Sequence, residues 1–113
     1  MNKRTKNTVQ LFDKYAESYA QRFMDVSLYA PSLKEFCGLL PPHASMLELG
    51  CGPGNVTAFL LKQREDLQIL ATDLSEEMLK ITRKNLPGIS CRPLNFKELE
   101  NWPHRYEAVM AAF

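Results

Sequence analysis

The sequence predicts an α/β fold: a doubly wound parallel sheet in three α/β/α layers, with two helices before its first strand. Three observations predict it. Short apolar segments alternate with segments of helical periodicity over residues 46–113. The apolar segments are hydrophobic almost throughout, as in parallel strands buried on both faces. A loop with three glycines, Gly50, Gly52 and Gly54, joins the first apolar segment to the helical segment that follows it.

Residues 1–42 are predicted to form a helical segment ahead of the sheet. Two sets of aromatic and apolar residues recur at spacings of three and four, and each set marks one face of a helix: Phe12, Tyr15, Tyr19 and Phe23, then Tyr29, Leu33, Phe36 and Leu40. Pro31 suits the first turn of the second helix. Pro41 and Pro42 end it, because proline lacks the amide donor. We therefore expect a helical segment at 1–42 and an α/β core at 43–113.

The core is predicted to contain four strands, at 46–49, 67–72, 89–93 and 106–113, the third weakened by Pro93. One helix is expected at 55–63, with Asn55 as its N-cap. A second is expected to begin at Ser75 as its N-cap and to end at the Pro87-Gly88 pair. A short helix or turn is expected at 96–102. The inner faces of the two longer helices are predicted to be Val56, Phe59, Leu60 and Gln63, and Met78, Ile81 and Asn85.

Composition limits the classes of function. With 113 residues, 45% hydrophobic and 24% charged, the chain suits one compact globular domain. The net charge of +1 gives no reason to expect a nucleic-acid partner. No apolar run reaches the roughly 18 residues that span a bilayer, and the first twenty residues do not resemble a signal peptide. We therefore expect a cytoplasmic protein that binds neither nucleic acid nor membrane.

The cysteines and histidines do not suggest a metal centre. The three cysteines are far apart and form no CxxC pair, and the two histidines are isolated. No metal is therefore expected, and the cysteines are interpreted as reduced thiols. Cys51 lies inside the glycine loop, but a catalytic thiol needs a base, and no histidine is near it in sequence.

The glycine spacing leaves several ligands open. A phosphate loop of the Walker type needs Gly-Lys-Ser/Thr, whereas Asn55 and Val56 follow Gly54. A dinucleotide loop needs Gly-x-Gly-x-x-Gly, and its third glycine would fall on Asn55 or Thr57, which counts against NAD. A third alternative is a tight turn without a ligand, although such a turn seldom needs three glycines.

Two acids narrow the choice. Glu48 lies two residues before the first glycine, where a carboxylate would repel a pyrophosphate and attract a cation. Asp73 ends the next strand, where an acid can accept hydrogen bonds from both hydroxyls of a ribose. The pattern predicts a ligand that combines a ribose with a positive charge and needs no phosphate.

The segments LELGCGPGNVTAFL, ILATDLSEEMLK and RYEAVMAAF resemble the class I S-adenosylmethionine-dependent methyltransferases, which have a Rossmann-like fold. The resemblance implies S-adenosylmethionine as cofactor, with S-adenosylhomocysteine as product. It implies that Glu48, Gly50, Gly52 and Gly54 hold the methionine part and that Asp73 binds the ribose. It further implies a cytoplasmic enzyme (EC 2.1.1.-) that methylates a small molecule.

The resemblance extends, less specifically, to other positions. Leu74 would lie beside the adenine, and Asn95 would accept from its amino group, where the family usually has aspartate. Phe96 would pack on the ring, and Ala112, near the end of the fourth strand, would touch the cofactor. The stretch LFDKYAESYAQRF is similar to an N-terminal helix that closes over the cofactor in small-molecule members. Tyr15 and Tyr19 are the candidates there, with core packing as the alternative.

The family's sheet has seven strands, so the resemblance implies a domain truncated after the fourth. The outer edge of strand 106–113 would then have no neighbouring strand, and we expect it to pair with a second copy of the chain. No catalytic residue is assigned. The alternatives are a non-catalytic fragment that binds S-adenosylmethionine and, more distantly, an NAD-binding module.

Overall fold

A four-stranded parallel sheet forms the centre of the computed structural model, which describes residues 26–111. Its strands are β1 (Ser45–Leu49), β2 (Gln68–Asp73), β3 (Ser90–Pro93) and β4 (Ala108–Met110). The four predicted strands are confirmed in number and order, and the first three begin and end within a residue of prediction. The fourth is shorter, with three residues in the sheet.

Within the described residues, three α-helices accompany the sheet: α1 (Ala30–Gly38), α2 (Asn55–Gln63) and α3 (Glu76–Asn85). Short 3-10 helices lie at Ser27–Tyr29 and Phe96–Asn101. Pro31 lies in the first turn of α1, as predicted. Ser75 caps α3, and its hydroxyl accepts a hydrogen bond from the Met78 amide. The helix expected over Phe12 to Phe23 falls outside the described residues.

The predicted N-cap of α2 was wrong. Gly54 is the N-cap, with φ of 90°, and Asn55 is the first helical residue. Glycine adopts this left-handed conformation without steric cost, so the helix begins directly at the last glycine of the loop.

The strand order is β3-β2-β1-β4. From β1 the chain moves outward through β2 to β3, and then returns to place β4 on the other side of β1. Each crossover between parallel strands is expected to be right-handed, so the direction of winding reverses between β1 and β4. Open α/β sheets bind their ligands at such a reversal, beyond the carboxyl ends of the strands.

The main core joins α1 and α2 to the sheet. It consists of buried residues from both helices, from β1 and β2 and from the adjoining loops: Leu33, Cys37, Ala44, Met46, Val56, Leu60, Leu67 and Ile69. The predicted inner faces were partly wrong, because Gln63 and Asn85 are exposed. Threonines take inward positions instead: Thr57 and Thr82 are fully buried.

Arg64, directly after α2, ties the end of α1 to the core. Its guanidinium donates to the backbone oxygens of Cys37 and Leu40, at 2.8 and 3.1 Å, and to that of Pro41 at 3.0 Å. It also makes two 2.8 Å hydrogen bonds to Asp66, whose carboxylate accepts from the His43 amide. One side chain thus provides hydrogen-bond donors to three backbone carbonyls, in the last turn of α1 and in the segment that follows it.

Candidate functional site

The glycine loop leaves β1 in a conformation that only glycine adopts easily. Gly50, Gly52 and Gly54 have φ angles of 67°, 56° and 90°. The Cys51 amide donates to the Thr72 carbonyl at 2.8 Å and so fixes the loop to the end of β2. Gly50 is exposed, and Gly52 is half-buried. The backbone there can therefore approach a ligand without an intervening Cβ.

Asp73 holds the loop from the neighbouring strand. One carboxylate oxygen accepts from the Gly52 amide at 2.8 Å, and the other accepts from the Ser75 amide at 2.9 Å. The side chain is half-buried. Each carboxylate oxygen has further lone-pair capacity, so Asp73 can anchor the loop and still accept from a ligand hydroxyl.

Glu48 is buried within the fold, 2% exposed, and is therefore not a solvent-facing strand end. It hydrogen-bonds the hydroxyl of Thr57 in the first turn of α2. Burial raises the pKa of Glu48 to about 7; the Thr57 hydrogen bond lowers this pKa, and the charge of Asp73 raises it. The two predicted acids therefore lie close enough to interact.

Three buried threonines around the loop were missed in the sequence. Thr57 hydrogen-bonds Glu48, and Thr72 donates to the Glu48 backbone carbonyl at 2.6 Å. Thr82 of α3 donates to the Gly52 carbonyl at 2.9 Å. Thr57 could have been predicted, because a carboxylate within an apolar strand needs a nearby hydrogen-bond donor, and Thr57 lies in the first helical turn after the loop. No comparable local signal marks Thr82, which lies 30 residues from Gly52.

The end of β3 joins the same edge. The Leu94 amide donates to the Asp73 carbonyl at 3.2 Å, which brings Asn95 and Phe96 towards Asp73 and Leu74. The Asn95 side-chain oxygen accepts from the Lys97 amide at 3.1 Å and caps the following 3-10 helix. Phe96 is 59% exposed, as a ring that packs on a ligand could be.

The structure thus gathers eight of the ten predicted site residues along one edge: Glu48, Gly50, Gly52, Gly54, Asp73, Leu74, Asn95 and Phe96. The other two, Tyr19 and Ala112, lie outside the described residues.

Cys51 is a poor candidate for a nucleophile. It is buried, and burial together with the charges of Glu48 and Asp73 raises the pKa of its thiol far above the ordinary range. A thiol with so high a pKa stays protonated at neutral pH.

Residues 26–111 contain no group of three or more histidine, cysteine, aspartate or glutamate side chains able to hold a metal ion. No helix in this range has the length and apolar character required to cross a membrane.

An open cleft of about 800 Å³ lies at the opposite edge of the sheet, between the strand starts and the end of α3. Its lining includes Ser45, Gln68 and Ser90, the first residues of three strands, and contains no charged side chain. The cleft is therefore separate from the acidic glycine-loop edge and does not share its chemistry.

Comparison with known proteins agrees with this geometry. A model of the methyltransferase domain family matches residues 46–113. Trans-aconitate 2-methyltransferase of Azoarcus sp. is 31% identical over 80 residues, which cover 71% of this chain and 28% of that protein. Malonyl-(acyl-carrier protein) O-methyltransferase of Methylococcus capsulatus is 34% identical over 73 residues, covering 65% and 26% respectively. The chain thus spans about a quarter of the length of these relatives.

A solved structure supports the fold. The S-adenosylmethionine-bound amino pentose methyltransferase of Micromonospora echinaspora matches with a TM-score of 0.66 at 21% identity, over 88% of this chain and 41% of that one. The strand order, the glycine loop with its two acids and the family match over residues 46–113 agree, and S-adenosylmethionine is the cofactor of the family they indicate. This chain belongs to the class I S-adenosylmethionine-dependent methyltransferases.

Proposed function

We propose that this chain binds S-adenosylmethionine at the carboxyl ends of β1, β2 and β3, as the cofactor-binding part of an enzyme that methylates a small molecule. The observation that carries the proposal is the pair of carboxylates, Glu48 and Asp73, on either side of a glycine loop. Residues 48–54 and 73–75 contain no lysine or arginine. Such a loop favours a cationic ligand with a ribose over a pyrophosphate.

Each residue has a proposed part in binding. The glycines allow the methionine part of the cofactor to lie against the backbone, and Glu48 supplies negative charge from within the fold. Asp73 accepts from the ribose hydroxyls. Leu74 and Phe96 pack against the adenine, and Asn95 meets its amino group. Tyr19 and Ala112 stay predictions for the same site.

When bound, S-adenosylmethionine would supply an electrophilic methyl group, whose carbon–sulfur bond breaks as the acceptor bonds to the methyl carbon and S-adenosylhomocysteine leaves. The protein's contribution is to hold the cofactor and the acceptor in the reacting geometry and to exclude water. No residue of this chain is assigned as a general base.

Calorimetry with S-adenosylhomocysteine and with NAD tests the binding. We expect the wild-type chain to bind S-adenosylhomocysteine, and Asp73→Ala and Glu48→Ala each to weaken that binding about tenfold or more. Glu65→Ala, which removes an exposed acid before the start of β2, is the control and should retain wild-type affinity. Binding of NAD alone, or unchanged affinity in both site variants, would contradict the proposal.

For the acceptor, we propose a small carboxylic acid. The two relatives described above are named for trans-aconitate and for a malonyl group, and both acceptors carry carboxyl groups. The alternative is a chain that binds the cofactor without turnover. Incubation with methyl-labelled S-adenosylmethionine and trans-aconitate distinguishes the two hypotheses. Formation of a labelled ester supports the enzyme, whereas cofactor binding without product supports the alternative.

We also propose that the chain self-associates through β4 and functions in the cytoplasm. Within residues 26–111, β4 pairs only with β1, and Val109 is 56% exposed. An unpaired apolar edge favours pairing with another strand. Sedimentation over a concentration series should show a dimer that Val109→Lys disrupts, and a constant monomer mass would contradict this. The free thiols of Cys37, Cys51 and Cys91 are consistent with the proposed cytoplasmic location.

A further inference from the structure

Glu48 lies in surroundings that disfavour its charged form. The side chain is 2% exposed. Among the described residues, no lysine, arginine or histidine forms an ion pair with it. A buried carboxylate without a cation or a donor takes up a proton, because an apolar environment solvates its charge poorly. The proposed ligand is cationic, so its site benefits only from the ionised carboxylate.

The groups that face Glu48 come from three elements. The charge of Asp73, at the end of β2, disfavours a negative charge on Glu48. The Cys51 thiol in the loop also interacts with Glu48, but it stays protonated at neutral pH and carries no charge there. From α2 comes Thr57, whose hydroxyl hydrogen-bonds a Glu48 carboxylate oxygen. Thr57 is thus the neighbour that favours the ionised form.

The position of Thr57 is well defined. It is fully buried and occupies the third residue of α2, so the helix backbone and the surrounding core fix its Cα. A β-branched side chain in a helix has few rotamers, which limits the direction of its hydroxyl. The Thr57 hydroxyl therefore restricts the orientation of the Glu48 carboxyl.

We propose that Thr57 is a positioning residue of the cofactor site: its hydroxyl donates to Glu48, favours the ionised form of this carboxyl and orients it for a cationic cofactor. The inference rests on the proposed function for its link to the cofactor. Its link to Glu48 rests on the hydrogen bond and on the burial of both groups. Cofactor affinity is then coupled to loss of a proton from Glu48, and it rises with pH as that proton leaves.

The first test is an NMR titration of the Glu48 side-chain carboxyl in the free chain. Loss of the Thr57 donor raises the Glu48 pKa, so Thr57→Val should move the midpoint up by about one pH unit. Thr57→Ser retains the hydroxyl and should titrate like the wild type. If Thr57→Val does not fold, Thr57→Cys takes its place, since a thiol is a weaker donor and must also raise the midpoint.

Thr72→Val is the matched control. Thr72 is also buried, and its hydroxyl donates to Glu48, but to the backbone carbonyl instead of the carboxylate. Its loss should lower stability and leave the Glu48 midpoint unchanged. An unshifted midpoint in Thr57→Val, or the same shift in Thr72→Val, would overturn the proposed role of Thr57.

The second test measures affinity for S-adenosylhomocysteine by calorimetry across the same pH range. Affinity should rise with pH in the wild type, and Thr57→Val should reach wild-type affinity only at higher pH. If the wild type binds no S-adenosylhomocysteine at any pH, both the proposed function and the proposed effect of Thr57 on cofactor binding are refuted. The NMR midpoint would still show whether Thr57 lowers the pKa of Glu48. Binding whose pH profile is the same in wild type and Thr57→Val would refute this inference alone.

Discussion

At the scale of single residues, the two acids of the site differ in burial and in hydrogen bonding. Glu48 lies within the fold, and its carboxyl has one hydroxyl donor and an acidic neighbour. Asp73 is half-buried and accepts two backbone amides. The two acids therefore have different environments: Glu48 is removed from solvent, whereas Asp73 is partly exposed and bound by two backbone amides.

Glu48 should make folding stability depend on pH. Its pKa is about 7 in the folded chain and near 4.5 when unperturbed. Between these values the folded state holds more protons, so stability falls as pH rises through this window, by about 3 kcal/mol at most. Glu48→Gln should remove this part of the slope. Urea unfolding at about pH 5 and about pH 8 measures it, and identical slopes in the two proteins would show that Glu48 does not titrate as described.

Gly54 combines a left-handed backbone with a close neighbour. A Cβ at this position would lie 3.1 Å from the Thr82 hydroxyl oxygen and methyl carbon. Gly54→Ala should therefore destabilise the fold by about 2 kcal/mol, from backbone strain plus crowding.

Two other glycines allow the cost of backbone strain to be measured apart from the cost of crowding. Gly88 has a φ of 88° and no neighbour within 4 Å, so Gly88→Ala should carry the backbone cost alone. Gly38 ends α1 with neither constraint, and Gly38→Ala should be neutral or slightly stabilising. Urea unfolding of the three variants gives the comparison. A Gly54→Ala cost no larger than that of Gly88→Ala would show that Thr82 moves aside easily.

At the scale of elements, contacts between distant segments shape the loop. The end of β2 holds Cys51 through the Thr72 carbonyl, and α3 reaches Gly52 through Thr82. Each contact crosses at least 21 residues of sequence, so the loop geometry depends on the docking of β2 and α3. This explains why three glycines alone did not identify their ligand.

The attachment of α1 should depend on Arg64. Arg64→Ala leaves three backbone carbonyls at the end of α1 without this donor and Asp66 without its partner. We expect a lower Tm and faster hydrogen exchange in α1, with a larger effect than removal of the exposed Glu77–Lys80 pair by Glu77→Ala. Equal effects of the two variants on Tm and exchange would contradict this role.

At the scale of the whole molecule, the order and direction of the strands set the position of the candidate site. Parallel pairing brings the carboxyl ends of β1, β2 and β3 to one edge, where the winding reverses beside β1, while the uncharged cleft lies at the opposite edge. An acidic edge and an uncharged edge thus lie at opposite ends of the strands of a single sheet.

Cofactor binding should stabilise the entire chain. A ligand that binds only the folded state at 100 times its Kd adds about 2.7 kcal/mol to the free energy of unfolding. We expect S-adenosylhomocysteine to raise Tm in the wild type and in Glu65→Ala, and to have much less effect in Asp73→Ala. Thermal unfolding with a ligand series measures this, and an equal rise in Asp73→Ala would place the ligand away from Asp73.

The sequence by itself determined the fold class, the four strands and the acids that flank the glycine loop. These features are local: apolar runs, helical spacing and a loop of three glycines each occupy a few consecutive residues. Ser75 was recognised as a cap for the same reason, because a cap and the amide it accepts from are three residues apart.

Only the tertiary structure decided that Glu48 is buried, that Gly54 begins α2, and that Thr57, Thr72 and Thr82 surround the loop. Burial depends on which elements pack over a residue, and a threonine in a helix has the same local signature whether it faces solvent or a carboxylate. The ionisation of Glu48 is therefore a property of the packed fold, because the pKa of a carboxyl depends on its solvation and on neighbours that folding brings together.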